Sequence, residues 1–409
     1  MGAAALRLTG LVTGPWRVWP PNQWRVSTPN QGRVSTPNQG PVSTPNQGRV
    51  STRRQAVRAR GELDGLDLDP EPGLLTAVLG PRGSGKSALI RAAAGVQAMR
   101  GRVELDGVNL SRTAPHQRLF GVVLQPDVLF PHLRLSENVD FPLRMRRTPS
   151  DGRARLVAEA LEAMQLGHLA SRYPAEVSEA ERQRAILARA VVASPRVLLL
   201  DEPLGAQDPA MRAWILASLR RLHLLMEGTT TLLATSSRSD ALAVADRVAV
   251  LRRGVVAQYG TPEELYERPV DAFVAAQLGE TNALPGRVVE LADDLARVRL
   301  DCGPMVDVRM GPGLAERAPC MVVLRPDRIA IAPVRAAEMG EGAIDATLID
   351  TQYQGETNRL RMLIGSGAEI VVRRPSTVGL RGLSVGATVA IAWQPHQAWA
   401  FSSEGGASL

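Results

Sequence analysis

Lysine is almost absent from this chain: among 48 Lys and Arg residues, only Lys86 is a lysine. The net charge of +7 is therefore carried by arginine. With abundant alanine, that replacement is what a GC-rich genome produces without selection for a polyanionic partner, so the charge is not read as a nucleic-acid footprint and no nucleic-acid partner is expected. Cysteine is nearly absent too. The two that occur, Cys302 and Cys320, exclude a disulfide framework and lack partners at metal-ligand spacing, so buried free thiols in a reducing compartment are expected. Long apolar runs are missing: although 44% of residues are hydrophobic, none of the runs approaches the roughly 20 residues of a membrane-spanning helix. The densest stretch, Ala185 to Leu200, is broken by Arg189 and Arg196. The apolar start of the chain carries Arg7 and no cleavage pattern, so no signal peptide is expected and a cytosolic chain is.

At 409 residues there is room for about two or three domains. Four octapeptides of the form P-N-Q-x-x-V-S-T stand in tandem over 21–52. Each offers one apolar side chain among turn formers, too little burial to offset its ordering entropy, so this insert is expected to be disordered or a loosely held loop. Alternating stretches flank it, Leu6 to Leu11 and Leu63 to Leu68, which places the insert at a hairpin tip. From Leu74 to Thr235, short apolar strands alternate with helical stretches, the pattern of a mostly parallel sheet covered by helices on both faces. After about Asn282 the texture changes to short strands broken by glycine, which reads as a separate small β-barrel domain. The expected organisation is an α/β nucleotide-binding domain over 4–280, carrying the insert, and an all-β domain over 283–402.

Gly80-Pro81-Arg82-Gly83-Ser84-Gly85-Lys86-Ser87 matches G-x-x-x-x-G-K-[ST] between an apolar strand and a helix. Its glycines let the backbone curl until N–H groups and a helix N-terminus face phosphate oxygens. Lys86 would bridge the β- and γ-phosphates, and the Ser87 hydroxyl would bind Mg²⁺. Downstream, Val197 to Leu200 ends in Asp201-Glu202. Asp201 can hold the Mg²⁺ shell and Glu202 can polarise an attacking water, two tasks that need carboxylates on successive residues facing different ways.

With these motifs the sequence resembles the ATP-binding subunits of ABC importers, nearest the polyamine-type group that also serves ferric iron, sulfate and sugars. The resemblance covers nearly the whole chain outside the octapeptides. Val122 to His132 is similar to the family's Q-loop, which implies that Gln125 touches Mg²⁺ and the attacking water and reports ATP to a membrane partner. Asp246 to Leu251, Gly260 to Tyr266, Gly279-Glu280-Thr281-Asn282 and Leu324-Arg325-Pro326-Asp327 match the end of the ATPase, the join and the oligonucleotide-barrel-like (TOBE-like) regulatory domain. The resemblance implies a P-loop ATPase that takes ATP and Mg²⁺ through Gly80 to Ala88, Gln125 and Asp201, with Glu202 as base. It also implies transmembrane permease subunits, a second ATPase subunit, an external solute-binding protein acting indirectly, and a place on the cytoplasmic face of a bacterial inner membrane.

The sequence departs from the family at its signature. Where L-S-G-G-Q closes over the other subunit's ATP, this chain reads Val177-Ser178-Glu179-Ala180-Glu181. Both glycines are gone, and like unit charges about 4 Å apart repel by roughly 4 kcal/mol at an effective dielectric of 20. Ser178 and Glu181 instead form an S-x-x-E capping box. Ser236 stands where a histidine would donate to the γ-phosphate; loss of one such donor commonly costs about 10²–10³ in rate. Gln207 and Ala88 also differ from the pattern, and with no aromatic between Thr52 and the phosphate loop, Trp16 is the nearest candidate to stack on adenine. Three readings stay open: an active transport ATPase with polyamine as first cargo, a nucleotide-binding but hydrolysis-impaired partner or regulatory subunit, and a decayed, poorly expressed product.

Overall fold

The structure is a computed structural model and describes residues 2–14, 61–125, 128–204, 208–333, 343–377 and 383–403. The octapeptide insert, Trp16, Pro126, Asp127 and Gln207 lie outside the described residues.

The hairpin read from the flanks of the insert is present: β1 (Leu6–Val12) pairs antiparallel with β2 (Asp64–Leu68), Leu8 facing Leu68 and Leu11 facing Leu66. Thr13 and Leu63 tie the end of the hairpin that faces the insert, Thr13 N–H donating to the Leu63 carbonyl and Leu63 N–H to Thr13 Oγ1. After β3 (Leu75–Leu79) and α1 (Lys86–Ala94), strands β4 (Arg100–Leu105) and β5 (Val108–Asn109) complete a four-stranded sheet in the order β2-β1-β4-β5.

The larger sheet joins β3 to β6 (Gly121–Val123), β7 (Val197–Asp201), β8 (Thr230–Thr235), β9 (Arg247–Arg252) and β10 (Val255–Gly260), in the order β10-β9-β3-β8-β7-β6. All its pairings are parallel except β9 with β10. Strands β3, β7 and β8 are buried along their whole length, as central strands of a sheet covered on both faces must be. Helix α1 lies between the two sheets, its Leu89 and Ile90 sharing a core with Leu6, Leu8, Val197 and Leu232.

A helical layer covers the β6–β7 side. Helices α2 (Leu135–Met145), α3 (Ser150–Ala163), α4 (Glu179–Val191) and α5 (Pro209–Leu225) pack Leu135, Val139, Leu161, Ile186, Ile215 and Leu219 onto Leu198 and Leu200. At the opposite side α6 (Arg238–Val244), α7 (Pro262–Glu267) and α8 (Ala272–Leu278) close over Ala77, Leu79, Val248 and Val250.

The C-terminal region is richer than one small barrel. Strands β11 (Asn282–Ala292), β12 (Leu295–Leu300), β13 (Met305–Met310) and β14 (Pro319–Leu324) form a closed barrel with the last described strand, β20 (Ala398–Ser402), in the order β11-β12-β13-β20-β14. Between β14 and that last strand, β15 (Ala330–Pro333), β16 (Ile344–Tyr353), β17 (Thr357–Ile364), β18 (Ala368–Pro375) and β19 (Thr388–Ala392) make a second sheet, before β20 (Ala398–Ser402) returns to the barrel. One apolar core, with Val298, Val322, Leu348, Leu360 and Ile391, serves both sheets. Both thiols are free; Cys320 is buried as expected, its pKa pushed up to about 11 by desolvation, whereas Cys302 is half-buried.

Candidate nucleotide site

The loop from Gly80 to Gly85 is shaped by backbone constraints. A Cβ on Gly80 would lie 2.6 Å from the Leu251 carbonyl and 2.7 Å from Ser84 Oγ, and Gly83 and Gly85 take φ of 80° and 108°. Gly85 caps α1, so the free N–H groups of its first turn begin at Lys86, Ser87 and Ala88. Pro81 and Arg82 are exposed on the loop, whereas Ser84, Lys86 and Ala88 are buried.

Lys86 donates to the carbonyls of Gly80 (2.7 Å) and Pro81 (3.1 Å) and stands 3.9 Å from Glu202 Oε1. Burial pulls its pKa down, opposed by the carboxylates of Glu202 and Asp201. Ser87 Oγ donates to Asp201 Oδ1 at 2.8 Å. Asp201 is fully buried at the end of β7, and its second oxygen, Oδ2, has no hydrogen-bond partner among the described residues. Desolvation raises its pKa, while the Ser87 hydroxyl, Arg91 and Lys86 oppose the rise. A buried carboxylate oxygen without a donor, beside a serine hydroxyl and an ammonium group, is the donor set of a hard divalent cation carrying phosphate, so Mg²⁺ fits these residues.

Glu202 follows on backbone with φ of 47°, its N–H donating to the Ala234 carbonyl on β8. This left-handed step turns its carboxylate away from Asp201 and gives the two successive acids different directions. Gln125 Nε2 donates to the Glu202 carbonyl at 2.6 Å, so the Q-loop amide sits against the main chain of the acidic pair. Arg91 is a member that motif reading missed. Its Nε lies 4.0 Å from Asp201 Oδ2 and its Nη2 donates to the Gln125 carbonyl at 3.1 Å, joining α1, β7 and the Q-loop. The signal available was its position one helical turn after Ser87.

Ser178, Glu179 and Ser236 share no hydrogen bond or ion pair with this cluster among the described residues. Ser236 is exposed beyond β8. Behind it, Arg212 on α5 holds buried Asp240 on α6 through two bonds of 2.8 and 2.5 Å, a second pairing the motifs did not disclose. At the start of α4 the capping box is formed: Glu181 N–H donates to Ser178 Oγ at 3.3 Å and Ser178 N–H to Glu181 Oε2 at 2.7 Å. Glu179 is exposed and bound by Arg182 through bonds of 3.0 and 2.6 Å.

Residues 63–205 match the ABC transporter family and residues 322–401 match the TOBE domain. The sulfate/thiosulfate import ATP-binding protein CysA of Nocardia farcinica is 41% identical over 257 residues, 63% of this chain and 76% of that protein. The spermidine/putrescine import ATP-binding protein PotA of Trichormus variabilis is 35% identical over 319 residues, 77% of this chain and 83% of that one. The PotA of Nitrosomonas europaea is 32% identical over 348 residues, 83% of this chain and 96% of its own length.

Proposed function

The chain belongs to the ABC transporter family as an import-type ATP-binding subunit with a C-terminal TOBE domain, and from that premise we propose that it binds Mg-ATP at Gly80 to Ala88, Gln125 and Asp201 and hydrolyses it to drive solute uptake. The observation that carries this reading is the buried, donor-less Asp201 Oδ2 at the floor of the glycine cradle, within the reach of Ser87 and Lys86.

Lys86, now turned onto its own loop carbonyls, would redirect to phosphate oxygens together with the α1 N–H groups. Ser87, Asp201 and the Gln125 side chain would hold Mg²⁺, which when bound neutralises phosphate charge. Glu202, facing elsewhere than Asp201, would orient a water and accept its proton. Gln125 bonds the Glu202 main chain, so a permease helix pressing on its loop would move the base. Permease subunits, a second ATPase subunit and, through them, an external solute-binding protein complete the proposed assembly at the cytoplasmic membrane face. No helix among the described residues is long and apolar enough to cross a membrane.

For cargo we place polyamine first, because polyamine-import relatives align over more of both chains. Sulfate comes next, since the sulfate/thiosulfate relative has the higher identity over a shorter span. Calorimetry of ATP with and without Mg²⁺, on the wild type and Lys86→Ala, tests the site; Mg²⁺-independent or unchanged affinity would sink it. Uptake assays with candidate permease subunits, using polyamine and sulfate as cargo, decide between them. A second reading, a hydrolysis-impaired subunit, draws on exposed Ser236 and on Glu179 in the signature. Single-turnover hydrolysis near the usual rate, with or without permease, removes it.

A further inference from the structure

Arg91 serves two partners with one guanidinium. It stands on α1 one helical turn after Ser87, on the same face of the helix as that hydroxyl. Its Nε lies 4.0 Å from Asp201 Oδ2, and its Nη2 donates to the Gln125 carbonyl at 3.1 Å. Asp201 is the only carboxylate in ion-pair range of Arg91 among the described residues, and the oxygen that faces it accepts no hydrogen bond. The Arg91 side chain is 41% exposed, so a second position in water is open to it. A few residues on, the same loop is gripped from α4: Arg189 Nη1 donates to the Val128 carbonyl at 3.1 Å, and its guanidinium lies 5.7 Å from the Phe130 ring centroid. The Q-loop therefore hangs between the helix that begins at the phosphate loop and the helix that begins at the signature segment.

The grip at Gln125 runs through the oxygen that a metal at Ser87 and Asp201 would take. A divalent ion bonded to Asp201 Oδ2 engages the electron pairs that draw the guanidinium, and repels it as a like charge. Arg91 and the metal thus exclude each other at this oxygen. Resting on the Mg-ATP reading of the site, we propose that Arg91 is a positioning residue that fastens the Q-loop to α1 only while the metal site is empty. Metal binding drives Arg91 off Asp201, frees the Gln125 carbonyl and leaves the loop held from α4. The exclusion is reciprocal: Arg91 weakens the hold on the metal by the same factor by which the metal weakens the hold on Arg91.

The test is calorimetry of the full chain with a non-hydrolysable ATP analogue, in Mg²⁺ and in chelator, which gives the ratio of the two dissociation constants. Amide hydrogen exchange at Leu124, Gln125, Val128 and Leu129 without nucleotide reads the loop. In Arg91→Met the benefit of Mg²⁺ rises by about threefold or more, because no cation has to be displaced, and the loop exchanges faster than in the wild type. Arg91→Lys keeps a charge near Oδ2 but lacks the fork that spans both partners, so it keeps the wild-type ratio and shows the faster exchange. A merely structural role would not split the two readouts in this way. Should Arg91→Met lose its melting transition, the exchange of Arg91→Lys decides. An unchanged or smaller Mg²⁺ benefit in a folded Arg91→Met, or wild-type exchange in Arg91→Lys, overturns the proposal while Mg²⁺-dependent affinity in the wild type leaves the nucleotide site standing. A wild type without Mg²⁺-dependent affinity overturns both.

Discussion

Asp201→Asn separates ligand binding from stability in a way few substitutions at this site would. The asparagine keeps an acceptor for the Ser87 hydroxyl, now 2.8 Å from Asp201 Oδ1, and removes a fully buried charge whose Oδ2 has no hydrogen-bond partner. An unsatisfied buried group costs about 1–3 kcal/mol, more when charged; the new amide N–H remains unpaired too, and Arg91 at 4.0 Å loses its partner, so a net gain of about 1 kcal/mol is expected. For a domain of about 150–250 residues that is a rise in melting temperature of roughly 2–4 °C without nucleotide. Mg-ATP at about 100 times its Kd stabilises the wild type by about 2.7 kcal/mol, whereas the variant should show the same shift with Mg-ATP as with ATP and chelator. The pH dependence has a defined sign. The folded state raises the Asp201 pKa above 3.8, so in the window above that value the native protein binds the extra proton and wild-type stability falls as pH rises, while the variant lacks this slope. Scanning calorimetry over pH 3.5–7 and with both nucleotide conditions reads all of this. A variant that melts several degrees lower without nucleotide, or that keeps a Mg²⁺-dependent shift, refutes the assignment of Asp201 as a buried cation ligand.

Glu202→Gln should keep Mg-ATP affinity while single-turnover hydrolysis falls by about 10²–10⁴; unchanged turnover would assign the base elsewhere. Glu280→Gln removes a carboxylate that receives Arg359 (3.1 and 2.9 Å) and Arg373 (2.7 Å), leaving two guanidiniums facing each other. A loss of about 2–3 kcal/mol, with faster proteolytic cleavage near residues 278–282, is expected, and wild-type melting and cleavage would show the clamp to be inert. His223 is buried against Thr231 Oγ1 at 3.0 Å with its pKa drawn below 6.5 by desolvation, so the unfolded chain takes the proton first and stability drops as pH falls below that value. A His223→Gln variant that retains the same acid slope would place its origin in other groups. Glu179→Gly should raise turnover about fivefold, the effect of roughly 1 kcal/mol expected when Arg182 and solvent screen the charge; a hundredfold rise would mean the carboxylate acts unscreened.

The phosphate loop and the acidic pair were legible because their chemistry is local: a glycine rhythm before a helix, and two carboxylates closing an apolar strand. What escaped was the cross-element wiring. Arg91 joins three segments far apart in sequence, and nothing in the spacing of Arg212 and Asp240 announces that α5 and α6 bring them together. The closure of the barrel was not legible either, because its pairings join distant residues: β20, at the far end of the chain, pairs with β14 and β13. The Gly279-to-Asn282 motif was recognisable only as a family likeness. Its physical content needed coordinates: Gly279 makes room for Arg325, Glu280 gathers two arginines, and Asn282 exchanges both amide bonds with Val371 on β18.

The altered signature gains a physical explanation that composition alone did not supply. A serine hydroxyl has one proton to give, and a partner subunit's phosphate can receive it only if nothing nearer does. Here Ser178 Oγ donates to Glu181 Oε2 at 2.8 Å and also accepts the Glu181 N–H, so its only proton is spent within one helical turn. Bonds from the Ser178 backbone and hydroxyl hold the Glu181 pKa down, which keeps the acceptor ionised and the proton committed. Arg182 is similarly occupied, gripping Glu179 and the carbonyls of Pro174 and Val177. The start of α4 is thus satisfied from within, and engaging a nucleotide across a dimer would require breaking these bonds first. The same residues that make the helix begin well withhold its donors from a neighbour. Lys86, Ser87 and Asp201 take no part in these bonds, so the proposed nucleotide cradle and the signature segment carry separate hydrogen-bond sets.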